Sequence, residues 1–393
     1  GGPIFTAYKK VLRSCSRMRW FTGLVVVGAF AGSLGLFGLL DKSFFPASTR
    51  PQFMIDVWAP EGTHIAKTAE IMDQISERVN QIPEVTDVTS FIGQGGMRFL
   101  LTYSPEKTND AYGQLLVSVD DYRVIDDILP DLQKWLNENY ENNTPLAKKF
   151  LLGPGEGGKV QIRFSGPDGD KLREMAFQCQ EIMRANGAIG VRSDWRQKIK
   201  VLQPLLSEAQ ARRAGIERTE LATSLQAGFE GVLAGVYREG DKLLPIIARP
   251  PERERFDITN INNLLVWSDA ANTMIPLRQI VAGFDTVFED SQIWRRNRIP
   301  TITVHADPSS GTADALLQKV VKELKQEIKL PSDEFFWEVG GEAESSSDAQ
   351  AALATSIPTF IIIMILIVIF LFDAIKQPLI IWLTVPLGMI GCL

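Results

Sequence analysis

Few side chains in this 393-residue chain have the type and spacing that covalent or metal chemistry needs. The histidines are His64, at the start of a helix after a Pro-Glu-Gly turn, and His305, which ends a strand before Asp307. Neither has a nucleophile beside it in a relay spacing. The cysteines, Cys15, Cys179 and Cys392, stand far apart. With two scattered histidines they cannot form a Cys/His zinc cluster, and they do not read as a disulfide scaffold. Residues 153–160, Gly-Pro-Gly-Glu-Gly-Gly-Lys-Val, spell most of a phosphate-binding loop. Such a loop needs Ser or Thr after the lysine and a helix to follow, whereas Val160 opens a strand. Gly153, Gly155, Gly157 and Gly158 therefore read as a flexible hinge. Asn142-Asn143-Thr144 is a chance sequon and residues 252–255, Glu-Arg-Glu-Arg, a solvated charge run. These residues point to a protein that is not an enzyme and carries no cofactor or metal.

Binding chemistry is more visible. Gly93, Gly95 and Gly96 form a glycine-rich loop flanked by Phe91, Met97, Phe99 and Tyr103. Aromatics and a methionine on such a loop can line an adaptable apolar site, or Phe91 and Phe99 can simply fill a core. The net charge is −6, and with five basic residues at the N-terminus the remaining sequence carries −11. That balance leaves no footprint for nucleic acid.

The elements that must position this loop repeat along the chain. Strand 53–58 leads into a helix with Ile65, Ala69, Met72, Ile75, Val79 and Ile82 on one face, then strand 85–91. The same strand–helix–strand order returns at 160–192 and again at 301–339. A fourth copy runs from strand 115–119 through a helix at 125–136 to a strand at 150–152. One copy has a single apolar helix face, so two copies must pair to bury it. Copies one and four are contiguous. The other two are separated by residues 197–290, too long for a loop and read as an inserted subdomain.

A mean hydropathy of +0.01 averages this polar region with uncharged segments at 21–40, 351–372 and 377–393. The first two are long enough to span a bilayer and the third reads as a span cut short. A signal peptide is the alternative for the first, but its apolar run is long and Asp41-Lys42-Ser43 is a poor cleavage site. The basic segment 1–20 then lies in the cytoplasm and residues 41–350 on the outer side. Gly28, Gly32, Gly35 and Gly38 admit either close helix approach or simple tolerance of glycine in a span.

The expected fold class is α+β with transmembrane helices: split βαβ (ferredoxin-like) subdomains with an insertion, flanked by membrane helices. The expected boundaries are 1–20 basic segment, 21–40 helix, 41–152 first α/β subdomain and 153–196 with 291–350 second subdomain. Residues 197–290 are the insertion, 351–372 a second helix and 377–393 a truncated third.

Residues 209–302 resemble the docking region of resistance–nodulation–division (RND) efflux permeases. The resemblance rests on segments 211–222 (ARRAGIERTELA), 235–249 (GVYREGDKLLPIIAR) and 293–298 (IWRRNR). It extends to 385–391 (VPLGMIG) and 43–46 (SFFP). It implies the opening part of the C-terminal half of a permease of the amphiphile, or multidrug, branch. Such a permease is a bacterial inner-membrane homotrimer that exchanges protons for amphiphilic compounds, with a periplasmic adaptor and an outer-membrane channel as partners. Gly93–Gly96 with Met97 and Phe99 falls where the family has its drug-contacting switch loop, and Phe150 and Arg192 fall near the cleft entrance. A periplasmic ligand sensor is the alternative. The proton-relay carboxylates and lysine of the family lie on helices outside this sequence.

Overall fold

The computed structural model describes residues 2–37, 48–152, 158–255 and 258–388. Gly153, Gly155, Gly157, Cys392 and the 43–46 segment fall outside the described residues. The chain divides into two compact units, residues 1–196 with 292–393, and residues 197–291.

The first unit opens with helices α1 (Pro3–Arg17) and α2 (Arg19–Phe37). Its first α/β sandwich contains β1 (Gln52–Trp58), α3 (Ile65–Asn80), β2 (Val85–Ile92), β3 (Tyr112–Val119), α4 (Ile125–Asn139) and β4 (Thr144–Lys149). The strands order as β2-β3-β1-β4, all pairs antiparallel. Helix α3 starts where the His64 ring accepts the Ala66 N–H at 3.2 Å, so this histidine caps a helix. The helix buries Ile71, Met72, Ile75 and Val79, one stripe at helical spacing. At Gly113 an added Cβ would sit 2.5 Å from Met72, so glycine there lets helix and sheet approach.

Strand β1 is buried on both sides. Phe53, Ile55 and Val57 join the helices in one core, while Met54, Asp56 and Trp58 point to the opposite face, as the two-residue period requires. The partner strand of the fourth copy is β4, at 144–149 instead of 150–152. Pro145 obscures it in sequence, but β4 pairs only with β1 among the described strands, an edge position that tolerates proline. Phe150 follows the strand and turns inward, 2 % exposed.

The second sandwich begins with β5 (Val160–Ser165), α5 (Gly169–Ala185) and β6 (Ala188–Ser193). The second unit then follows: β7 (Lys198–Leu206), α6 (Glu208–Ala214), α7 (Arg218–Phe229), the hairpin β8 (Val232–Glu239) and β9 (Lys242–Ala248), the short α8 (Glu252–Arg255), β10 (Leu265–Ser268), β11 (Thr273–Pro276) and β12 (Val281–Asp290). Strands β7 and β12 pair from Lys198↔Asp290 to Leu206↔Val281, so this unit begins and ends on one antiparallel ribbon. Its core holds Ile216, Leu221, Val266, Leu277 and Ile280.

The second sandwich resumes with β13 (Arg295–Arg296), β14 (Ile299–Pro308), α9 (Ala313–Glu327) and β15 (Phe336–Gly341). The order is β15-β5-β14 with β6 on the far side of β14, repeating that of the first sandwich. The architecture is mixed α/β, with each sandwich built from two strand–helix–strand copies. Helix α10 (Glu342–Phe372) begins nine residues before the apolar segment at 351 and runs through Pro358. Among the described residues it alone is long and apolar enough to cross a membrane as a single helix. Helices α1 and α2 meet the same criterion together, as a pair bent by 101°. The described part of the last apolar segment is α11 (Lys376–Thr384) and a 3-10 turn at Val385–Gly388, together shorter than a bilayer span. Among the described residues, flanking of the sandwiches by membrane helices thus rests on one complete helix and one bent pair.

Candidate functional site: a cleft between two sandwiches

The face of β1 away from the helices supplies the site. Asp56 is 3 % exposed and accepts hydrogen bonds from Tyr112 Oη at 2.7 Å and Gln114 Nε2 at 2.8 Å. Its other oxygen pairs with Lys148 Nζ at 2.7 Å. Strand register makes this possible: Gln114 lies opposite Asp56 on β3, and Lys148 lies diagonal to it on β4. Burial alone would raise the carboxyl pKa. The Lys148 charge and the hydrogen bonds from Lys148, Gln114 and Tyr112 outweigh it and hold Asp56 below the ordinary value. The same carboxylate, after burial, pushes the Tyr112 phenol well up.

Gln114 ties this pair to the glycine-rich loop. Its Oε1 accepts from the Gly96 N–H at 3.0 Å and from Tyr103 Oη at 2.9 Å. The Gly95 N–H donates to the Glu106 carbonyl at 3.1 Å, and the Gly93 N–H to the Tyr112 carbonyl at 2.8 Å. A Cβ at Gly95 would stand 2.6 Å from the Glu106 backbone nitrogen. These glycines thus admit close backbone approach and a stitched-down loop. Gly158, at φ 146°, lies with its Cβ direction 3.0 Å from the Ala306 nitrogen, packed against β14.

The sequence-picked side chains separate. Phe99 stacks near Tyr103 at 4.9 Å and edge-on to Phe150 at 5.3 Å, and this group packs with Met54. Phe91 lies against Gly96. Met97 is 87 % exposed and joins none of this group. Arg192 is stacked over the Trp58 ring, 3.9 Å from its centroid. Burial lowers its pKa against the pull of Asp307, Asp56 and Glu106.

Two cavities flank that stack. One of about 690 Å³ is lined by Met54, Asp56, Tyr103, Tyr112, Lys148 and Phe150. The other, about 750 Å³, is lined by Lys107, Asp194, Arg196, Trp294 and His305. Trp58, Thr102, Ser104, Glu106 and Arg192 line both and form their common wall. Beside the wall, Arg196 reaches from the second sandwich to Glu61 at 3.2 Å and to the Ala59 carbonyl at 2.9 Å. The ion pair is buried, with side chains 8 % and 11 % exposed.

Titratable groups here are displaced from their ordinary behaviour. Burial raises the Glu106 pKa despite Arg192 and Arg196. Burial pushes Asp194 up to about 6, although it accepts the Thr303 N–H at 2.8 Å. His305 is driven well below its ordinary value by burial and by Arg192, Arg163 and Lys148, so its ring is neutral. Its Nδ1 has no hydrogen-bond partner. Among the described residues no three His, Cys, Asp or Glu side chains converge as a metal site would need.

The family model for AcrB/AcrD/AcrF proteins matches residues 4–393. The chain belongs to this family of RND permeases. Its members are inner-membrane efflux transporters, not enzymes, and the sensor reading loses its support. CzcA of Cupriavidus metallidurans, a cobalt-zinc-cadmium resistance protein, is 22% identical over 367 residues, 90% of this chain and 34% of that protein. The multidrug resistance protein MdtF of Escherichia coli O6:H1 is 22% identical over 378 residues, 92% of this chain and 35% of that protein. The crystal structure of a heavy metal efflux pump superposes with a TM-score of 0.82 at 18% identity, covering 98% of this chain and 40% of that one. The chain thus spans about a third of the curated relatives' length.

The residues legible in the sequence do not include Met54, Asp56, Trp58, Glu106, Lys148 and Arg196. A signal for the first three was present. Phe-Met-Ile-Asp-Val-Trp is a strand with no polar alternation except one carboxylate, as expected when both faces are covered.

Proposed function

We propose that this chain is the cleft-bearing part of the C-terminal half of a proton-driven RND exporter, and that the cleft captures amphiphilic compounds. The observation that carries the reading is the cavity of about 690 Å³, which sets Met54, Tyr103, Tyr112 and Phe150 beside the Asp56–Lys148 pair. Such a lining offers an apolar body a wall and a polar head a partner. Of the residues picked from sequence, Tyr103, Phe150 and Arg192 line this space, Phe99 backs them, and Phe91 supports the glycine-rich loop. Met97, exposed at the loop tip, is available for contact before entry.

In the intact exporter the subunits form a homotrimer, and cargo passes to a periplasmic adaptor and an outer-membrane channel. The β8–β9 hairpin supports self-association, since Leu233, Val236, Tyr237, Leu243, Ile246 and Ile247 are exposed along it. Residues 41–350 then lie in the periplasm of a multi-pass inner-membrane protein.

Export of a metal ion is the competing reading, favoured by the likeness to the heavy metal efflux pump and to the cobalt-zinc-cadmium resistance protein CzcA. Titrating the full chain with a fluorescent amphiphile such as N-phenyl-1-naphthylamine, and separately with Zn²⁺, tests the two. We expect saturable dye binding that weakens in Phe150→Ala and Tyr103→Ala. Stoichiometric Zn²⁺ binding with no dye binding would transfer the assignment to metal export.

A further inference from the structure

On the walls of the second cavity, two tryptophans each carry a basic side chain from the opposite sandwich. Arg192 lies over Trp58, 3.9 Å from the ring centroid, and Lys107 lies over Trp294, 4.1 Å from it. The two contacts are unlike. Arg192 also donates to the Gly190 carbonyl at 3.0 Å, and Trp58 beneath it is only 5 % exposed, so this stack is part of the wall itself. Lys107 is an exposed residue, and among the described residues its ammonium has no carboxylate partner. Trp294 is 40 % exposed, so its ring is open to exchange of whatever covers it.

A lysine ammonium is compact and strongly hydrated, so it gains little on an aromatic face that water also reaches. A fully alkylated ammonium sheds less water and gains more on the same face. The remaining charges of the cavity are mostly committed. Arg196 is paired with Glu61 at 3.2 Å and Arg163 with Glu344 at 2.7 Å, while Asp194 accepts the Thr303 N–H at 2.8 Å. Glu106, next to Lys107 and lining the same space, is the carboxylate left to face an incoming cation. Exchanging the Lys107 ammonium for one ligand cation leaves the charge around the ring unchanged. Leu101, exposed on the same lining, offers an alkyl tail a wall. We propose that Trp294 and Glu106 form a second site, which takes the quaternary ammonium head of an alkylated cation, and that the Lys107 ammonium is its resident competitor. This rests on reading the cleft as a capture site.

Calorimetric titration of the full chain in lipid nanodiscs tests this, with hexyltrimethylammonium as the probe and empty nanodiscs subtracted. The neutral dye N-phenyl-1-naphthylamine, titrated in parallel, reports the first cavity. Lys107→Gln should tighten the cation about two- to fivefold, which is the weight of one exposed cation–π contact. Lys107→Arg keeps a competitor on the ring and should bring no gain. Trp294→Leu should weaken the cation, and adding Lys107→Gln to it should then have no effect, because the contested face is gone. Dye binding should be the same in every variant, which also shows that each one folds. An unaltered cation affinity in Lys107→Gln would overturn the proposal. So would a gain that persists without the Trp294 ring, since it would report charge alone. Either result with normal dye binding removes only this site; if neither compound binds the parent chain, the capture reading of the cleft fails and the site with it.

Discussion

Replacing Asp56 with Asn removes the carboxylate paired with Lys148 and leaves an ammonium in a mostly enclosed site. Stranding one member of a buried ion pair costs about 3–5 kcal/mol. Lys148 keeps 30% of its side-chain surface, so the lower end, about 3 kcal/mol, is expected. That is roughly a hundredfold rise in the opening equilibrium of β1. Hydrogen exchange of the peptide carrying Ile55 and Val57, in the full chain, measures it. Lys148→Met added to Asp56→Asn should restore protection to within about 1 kcal/mol, because no charge is then left alone. The acid dependence follows the same pair. Asp56 is held below its ordinary pKa, so its stabilisation is complete above the unfolded carboxylate value of about 3.9 and is lost as pH falls through the lower folded value. The Asn variant should lack that acid-limb loss. Protection in Asp56→Asn within about 0.5 kcal/mol of the parent would refute the assigned weight of the pair. A double variant as weak as the two single losses combined would refute the coupling.

Asp194 runs the other way: its folded pKa of about 6 exceeds the ordinary 3.8. The folded state binds the extra proton, so stability falls as pH rises between those values, by about 3 kcal/mol in all. Asp194→Asn should abolish this slope in urea titrations of β14 protection, and an unchanged slope would assign it to another group. Arg196→Ala removes the guanidinium that holds Glu61 and the Ala59 carbonyl and should loosen the 59–64 turn by about 3 kcal/mol, read as faster exchange there. Arg196→Lys should recover part of the loss, and unaltered exchange in the Ala variant would count against the clasp. Gly95→Ala must push Cβ against the Glu106 backbone and should cost about 1–3 kcal/mol with faster proteolysis of the 93–108 loop. Gly283→Ala, where nothing lies within 4 Å, is the neutral control.

The paired sandwiches are legible in the sequence because helical and strand periodicities alternate clearly. The spacing of Met72, Ile75 and Val79 marks α3, although Ile65, read on the same face, is exposed at the first turn and Ile71 is buried in its place. The inward face of α5 is read in full. Strand β4 is obscured because Thr-Pro-Leu-Ala-Lys-Lys looks like a turn until its edge position is known. Local composition draws attention to Gly93–Gly96 and its aromatics, and Tyr103 and Phe150 do meet Met54 there. Asp56, Glu61 and Lys148 look like ordinary surface charges, since their burial depends on strands and loops distant in sequence. The stacking of Arg192 on Trp58 joins residues 134 positions apart, a relation that no local pattern encodes. Among the glycines read as hinge or switch, Gly95 and Gly158 are also points of close backbone approach, and spacing alone does not separate these two uses.

Photo-crosslinking of an amphiphile to the full chain, followed by peptide mapping, tests most directly whether the cleft is the capture site. The account predicts adducts on the peptides carrying Trp58, Tyr112 and Phe150, diminished by excess unlabelled compound and by Phe150→Ala. Adducts confined to α2 and α10, with the cleft peptides unmodified, would contradict it.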